Sequence, residues 1–160
     1  MKSNTLLTHY VPFLAWLSMI QYASSQPYQD QDVTPILGNI NLSWIESGFQ
    51  WVQFTYGTSV ISLETRSTEA FVEFFIRKGA HVFVYFVLAI FAFRILMLWM
   101  EHIPKASVLA ILFITAYAAY DEIRHYFHPD RSGMVEDVLL DMFGGALGVL
   151  AWIVFIRRRK

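Results

Sequence analysis

Acids, bases and imidazoles recur at helical spacing in a chain that is otherwise strongly apolar. Glu73, Arg77, His81 and Tyr85 stand four residues apart, and Lys78 lies three before His81. At that spacing all five share one side of a helix. Tyr117, Asp121 and His125 repeat the pattern, with Glu122 three before His125. Asp137 and Asp141 are one turn apart at the head of another apolar run. The chemistry available to such a set is proton exchange by imidazole and carboxylate, with Lys78 and Arg131 as clamps for an anionic oxygen. The plainer alternative is a self-satisfied network of ion pairs that only ties helices together. Spacing alone does not choose between the two. Snorkelling accounts equally well for Arg77, and the helix macrodipole accounts for Asp137. Asp141 lies a turn deeper, where capping explains it less well, and His81 is followed by apolar sequence. Both are read as facing the interior of a bundle.

Metal chemistry finds little footing in the same residues. The chain has no cysteine, which removes thiolate sites, disulfides and cysteine nucleophiles. Glu122 and His125 form one E-x-x-H, and Asp137 with Asp141 makes a carboxylate pair. A carboxylate-bridged bimetal bundle uses two E-x-x-H copies, and only one is present. No metal and no other cofactor is therefore expected, and nothing beyond His81 and His125 themselves supports haem.

The elements that must position these groups are membrane helices. Hydrophobic residues make up 56% of the 160 and charged residues 16%, against about 25% charged in an ordinary soluble domain. The net charge of −1 gives no reason to expect nucleic acid as a partner. Four apolar runs, about 6–23, 79–100, 106–124 and 138–156, approach the roughly 20 residues that a span requires. The third reaches that length only by continuing through Asp121 and Glu122, which puts two carboxylates at a membrane boundary. The first run has features of a cleavable leader in Lys2 and Ala23-Ser24-Ser25. It is longer than a usual leader core and carries His9 and Pro12, so it is read as a retained span.

Lysine and arginine set the expected orientation. With both termini in the cytoplasm, that side holds seven bases and one acid, Glu101, while the other side holds five bases and twelve acids. The positive-inside tendency favours this arrangement over its inverse. The polar stripes then gather on the extracytoplasmic side, next to a long first loop of about 24–68. In that loop Trp44, Phe49 and Trp51 suit an interfacial belt. Two strand-like runs flank Tyr56-Gly57-Thr58-Ser59 and predict a short β-hairpin. A second, short polar loop contains the turn His128-Pro129-Asp130-Arg131-Ser132-Gly133. Gly144 and Gly148 form a GxxxG pair, expected to let another helix of the same chain come close. The fold expected is an all-α, four-transmembrane-helix bundle, one domain over 1–160, with an extracytoplasmic first loop carrying a hairpin.

Two blocks carry a resemblance to a known family. One is Phe71-Val72-Glu73-Phe74-Phe75-Ile76-Arg77-Lys78-Gly79-Ala80-His81, followed by Tyr85. The other is Tyr120-Asp121-Glu122-Ile123-Arg124-His125, followed by Phe127, Pro129, Arg131, Asp137, Asp141 and Gly144. Together they resemble the VanZ-like family of bacterial membrane proteins, whose usual residue at the position of His125 is Gln. The resemblance covers about Phe54 to the end, with the first helix matched by position only. It implies a bacterial cell-membrane protein, linked through the family's name to teicoplanin resistance. The family core is similar to that of membrane enzymes that act on lipid headgroups. By that likeness the expected partner is a phospholipid or a polyprenol-linked wall precursor. In this reading His81, Asp121, Glu122 and His125 are the catalytic candidates, Lys78 and Arg131 hold the phosphate, and Tyr85, Asp137 and Asp141 support them. The rival expectation is a non-catalytic accessory protein that binds a lipid or glycopeptide through its aromatic first loop. A channel has less support, because the spans are few and short and no repeat is present.

Overall fold

The computed structural model describes residues 3–127 and 131–158. His128, Pro129 and Asp130 of the expected turn, and Lys2, Arg159 and Lys160 of the charge count, lie outside the described residues. Four main helices follow in chain order: α1 (Val11–Ser25), α2 (Thr68–Trp99), α3 (Ile103–Tyr126) and α4 (Val135–Arg158). Three of them, α2, α3 and α4, are long and apolar enough to cross a membrane. The first apolar run is helical from Ser3 to Ser25, but a π-helical stretch, Leu6–Tyr10, precedes the 15 residues of α1. Pro12 explains the irregularity, since it has no N–H to offer the Thr8 carbonyl and its ring crowds that oxygen. The Thr8 carbonyl accepts instead from the Arg94 guanidinium of α2, at 3.3 Å. α1 ends where Gln26, the residue before Pro27, turns extended, as the proline ring requires.

α2 is longer than the apolar run that announced it. It starts at Thr68, where the Ser67 hydroxyl caps it by accepting from the Ala70 N–H at 3.2 Å. Its 32 residues give a length of about 48 Å, beyond the roughly 30 Å of a hydrocarbon core. The stripe from Glu73 to Lys78 lies on the same continuous helix as His81, as its spacing predicts. The hairpin forms as expected: Gln53–Tyr56 (β1) pairs antiparallel with Ser59–Ser62 (β2), with Tyr56 opposite Ser59. Gly57 turns the chain at φ 57, a left-handed conformation that glycine adopts without cost. The rest of the first loop contains short helical turns at Tyr28–Gln31, Thr34–Leu37 and Ser43–Phe49.

Small residues set how closely the helices approach. On α3, Ala106, Ala110, Ile114 and Ala118 make an unbroken stripe with no exposed surface. On α4, Gly144 and Gly148 lie against the backbone of α2, where an added Cβ would collide with the carbonyl oxygens of Val82 and Phe86. Gly145 faces Ile114 of α3 in the same way. The GxxxG pair thus packs within the chain, and α2 with α4 forms the most extensive helix contact. α1 joins the bundle through the Trp16 indole, which donates to the Val84 carbonyl at 3.0 Å.

Candidate functional site

The stripes that are small and apolar at one end of the bundle become charged at the other. Along α3 the buried face continues from Ala118 into Asp121, Glu122 and His125, all buried. Along α4 the glycine face is preceded by buried Asp137 and Asp141. Along α2 the face of Tyr85 and Leu88 is preceded by His81, Lys78 and Glu73. Because the glycines bring α4 against α2, these charges meet across the helix interfaces.

Two pairs join α2 to α4. The Lys78 ammonium donates to Asp137 at 2.6 Å, and His81 Nδ1 lies 3.1 Å from Asp141 Oδ1. Tyr56, at the end of β1, donates its phenol to the same Asp137 oxygen at 2.6 Å. Its ring sits 4.5 Å from the Lys78 nitrogen, within cation–π range. Burial, and then the hydrogen bond to Asp137, push the Tyr56 phenol well above its ordinary pKa. It therefore serves as a fixed donor. The hairpin is in this way pinned onto the site, and it also brings Ser59 and Ile61 to the cavity wall.

A second cluster joins α3 to α1 and to the chain before α4. His125 Nδ1 lies 3.2 Å from Glu122 Oε1, and Arg131 donates to His125 Nε2 at 3.1 Å. A guanidinium only donates, so Nε2 is the acceptor and Nδ1 carries the proton toward Glu122. The Ser24 hydroxyl, near the end of α1, faces two acceptors, Asp121 Oδ1 at 2.6 Å and His125 Nε2 at 2.8 Å. The other Glu122 oxygen accepts from the Met134 N–H at 2.8 Å. Arg131 also donates to the carbonyls of Gln26 and Ala23 and to the Gln31 side chain. It thereby fastens the start of the first loop over the bundle. Asp121 pairs with Arg124 at 3.3 Å, and Glu73 with Arg77 at 3.6 Å. The Arg77 guanidinium lies 4.1 Å from the Tyr28 ring.

Each site residue read from the sequence is thus at this end of the bundle. His81, His125, Lys78, Arg131 and Asp137 line one cavity of about 530 Å³, which Arg66 and Arg77 also reach. Asp121 joins His81, His125 and Arg131 around a smaller cavity of about 170 Å³ beneath α1, together with Tyr85. Tyr85 is buried and its hydroxyl finds no protein partner among the described residues. Three participants had no sequence signal. Ser24 lies 97 residues from Asp121, Tyr56 lies 81 from Asp137, and Gln31 lies 100 from Arg131. No periodicity reports contacts so distant. The carboxylates also regroup. One ligand atom each from His81, Glu122 and Asp141 lie within 4.8 Å of one another, a set different from the E-x-x-H and Asp–Asp pairs that spacing offered.

The fold and site define a helical membrane protein with a polar, cation-lined cavity at one end of its bundle. Residues 10–156 match the model of the VanZ/LLP1 family, and the chain belongs to that family. No curated protein and no solved structure gives a significant match.

Proposed function

We propose that this protein is a membrane-embedded enzyme that modifies or exchanges the headgroup of a phospholipid or a polyprenol-linked wall precursor at the extracytoplasmic face. The observation that carries this reading is the convergence of His81, His125, Lys78 and Arg131 on one cavity of about 530 Å³, a volume suited to a small polar headgroup. Arg66 and Arg77 add positive charge to the same walls. In this reading the initial apolar run is a fourth span, both termini are cytoplasmic, and the protein is a multi-pass resident of the bacterial cell membrane. The lysine and arginine asymmetry supports that orientation. The lipid tails would lie along the apolar helices while the phosphate enters among the cations.

The roles follow from the contacts. His81, oriented by Asp141, is the base or nucleophile, and Lys78 and Arg131 stabilise charge developing on phosphate oxygens. His125 is held in one tautomer by Glu122 and Arg131, and with Asp121 and Ser24 it forms a hydrogen-bonded wall that orders the site. The test compares the lipid composition of cells making wild-type protein with cells making His81→Ala or Glu122→Gln. Each variant should reduce the lipid change by at least about 10²-fold, the scale of general acid–base catalysis, with membrane abundance unchanged. Unaltered lipids in wild-type cells would remove the enzymatic reading.

A specific observation favours a second reading. Lys78 with Asp137, Arg77 with Glu73 and Arg124 with Asp121 are already paired, as in a purely structural network. Trp44 and Trp51 stand exposed in the first loop, so a non-catalytic protein would hold its lipid or glycopeptide there. Loss of membrane abundance in both variants, together with retained binding by the loop, would favour this alternative. Teicoplanin susceptibility of cells with and without the protein tests the resistance role that the family's name suggests.

A further inference from the structure

Two of the buried carboxylates lack a direct lysine or arginine partner among the described residues. Among the described residues, Glu73, Asp121 and Asp137 each form an ion pair with a lysine or arginine, whereas the ion pairs of Glu122 and Asp141 are with histidines. Asp141 is 1% exposed and Glu122 is 5% exposed. A carboxylate removed from water without a permanent counter-charge is strongly disfavoured. Asp141 uses one oxygen toward His81, and its other oxygen is buried without a hydrogen-bond partner among the described residues. These two acids and His81 are the residues whose ligand atoms gather within 4.8 Å.

We infer that His81, Glu122 and Asp141 form a binding site for one divalent transition-metal ion. Three ligands around an ion with bonds near 2.1 Å stand about 3.4 Å apart in a tetrahedral arrangement. Closing the observed spread therefore takes side-chain shifts of about an ångström. The donor set is one nitrogen and two carboxylate oxygens without sulfur, which suits zinc or manganese. The surroundings already resemble the outer shell of a metal site, where ligating carboxylates are themselves hydrogen-bonded. Glu122 is oriented by His125 through one oxygen and by the Met134 N–H through the other. His81 also borders the large cavity, so an open coordination position there would meet an anionic oxygen between Lys78 and Arg131. With the ion bound, His81 serves as a ligand, and its role as base passes to an ion-bound water. The site stands on charge and geometry, without the headgroup reading.

The test uses full-length protein in detergent, stripped with EDTA and dialysed against zinc or manganese. About one ion per chain should be retained by elemental analysis, and thermal stability should rise with metal concentration, as linkage requires. Asp141→Asn and Glu122→Gln should abolish retention and the thermal shift. His125→Ala should weaken binding about 10–100-fold, as loss of a carboxylate's orienting partner does. Trp51→Ala, at a residue 80% exposed in the first loop, should bind as wild type does. Should the ligand variants fail to fold, cobalt substitution of the wild type reads the same site by its nitrogen–oxygen ligand-field spectrum. Failure of wild-type protein to retain either ion, a spectrum of free cobalt, or equal retention by folded Asp141→Asn and Glu122→Gln overturns the site. Metal retention without any lipid change would leave it standing and remove only the headgroup activity.

Discussion

The two ends of the bundle are built from the same three helix faces by opposite means. At the end holding Gly148 and Ala106, α2, α3 and α4 meet through small residues: α4 lies on the backbone of α2 at Gly144 and Gly148, and Gly145 receives the Ile114 side chain of α3. In lipid no hydrophobic drive pushes helices together, so such packing relies on close van der Waals approach. At the end holding His81 and Asp141, α2 and α4 meet through charges 2.6 to 3.1 Å apart, and the charges of α3 are tied to Ser24 of α1 and to Arg131 and Met134 before α4. Ion pairs at this depth bring little net stability, because desolvation consumes most of the attraction. The glycine end therefore offsets the cost of the polar end. Close packing there fixes the helices rigidly enough to hold buried charges in one arrangement.

Substitutions should separate the two ends. The largest effect is expected from Gly148→Leu, whose side chain would enter the Phe86 backbone. Overpacking usually costs about 1–3 kcal/mol and sometimes more. Here a backbone stands in the way, so monodisperse protein should disappear from size-exclusion profiles. A normal yield would mean that the glycine end does not set the helix spacing.

Asp137→Ala should come next. It strands the Lys78 ammonium and the Tyr56 phenol together, and breaking a buried pair costs about 3–5 kcal/mol. The paired change Lys78→Met with Asp137→Leu should recover most of that loss in thermal unfolding, while the function does not return. If the double variant is as unstable as the single one, the polar end is structural after all.

Ser24→Ala removes one hydroxyl from between Asp121 and His125. A net loss of about 1 kcal/mol is expected for such a bond, visible as a small fall in Tm. Trp51→Ala should have the least effect on stability, within about 0.5 kcal/mol, since the side chain is 80% exposed. It should matter only where the aromatic loop meets a membrane surface or a ligand, and lipid-vesicle association measures the first of these.

Much of the site was legible because helical spacing fixes angular position. Glu73, Arg77 and His81 on one helix, and Asp121 and His125 on another, had to share faces once those segments were helical, and they do. The hairpin was legible from Gly57 and the runs around it. α2 starts at Thr68, where the expected first loop ends; the polar spacing from Glu73 marks that stretch as helical, although the apolar run begins only at 79. The fourth span was read from length and apolarity. The backbone shows why that run is harder to classify: Pro12 divides its hydrogen-bond ladder, leaving 15 residues in α1.

The sequence by itself determined the apolar helices, the polar stripe on each, and the small residues that let them touch. The tertiary structure alone decided the partners. Nothing in the spacing says that His81 meets Asp141, that Lys78 meets Asp137, or that Glu122 stands with His81 and Asp141 instead of acting only with His125. The physical reason is that periodicity sets the direction of a side chain about its own helix axis. What it meets depends on how far the neighbouring helix slides and how close it comes. In this chain those quantities are set by backbone contact at Gly144 and Gly148 with Val82 and Phe86. Ser24 and Tyr56 belong to the site for the same reason, delivered from distant segments by packing that leaves no periodic trace.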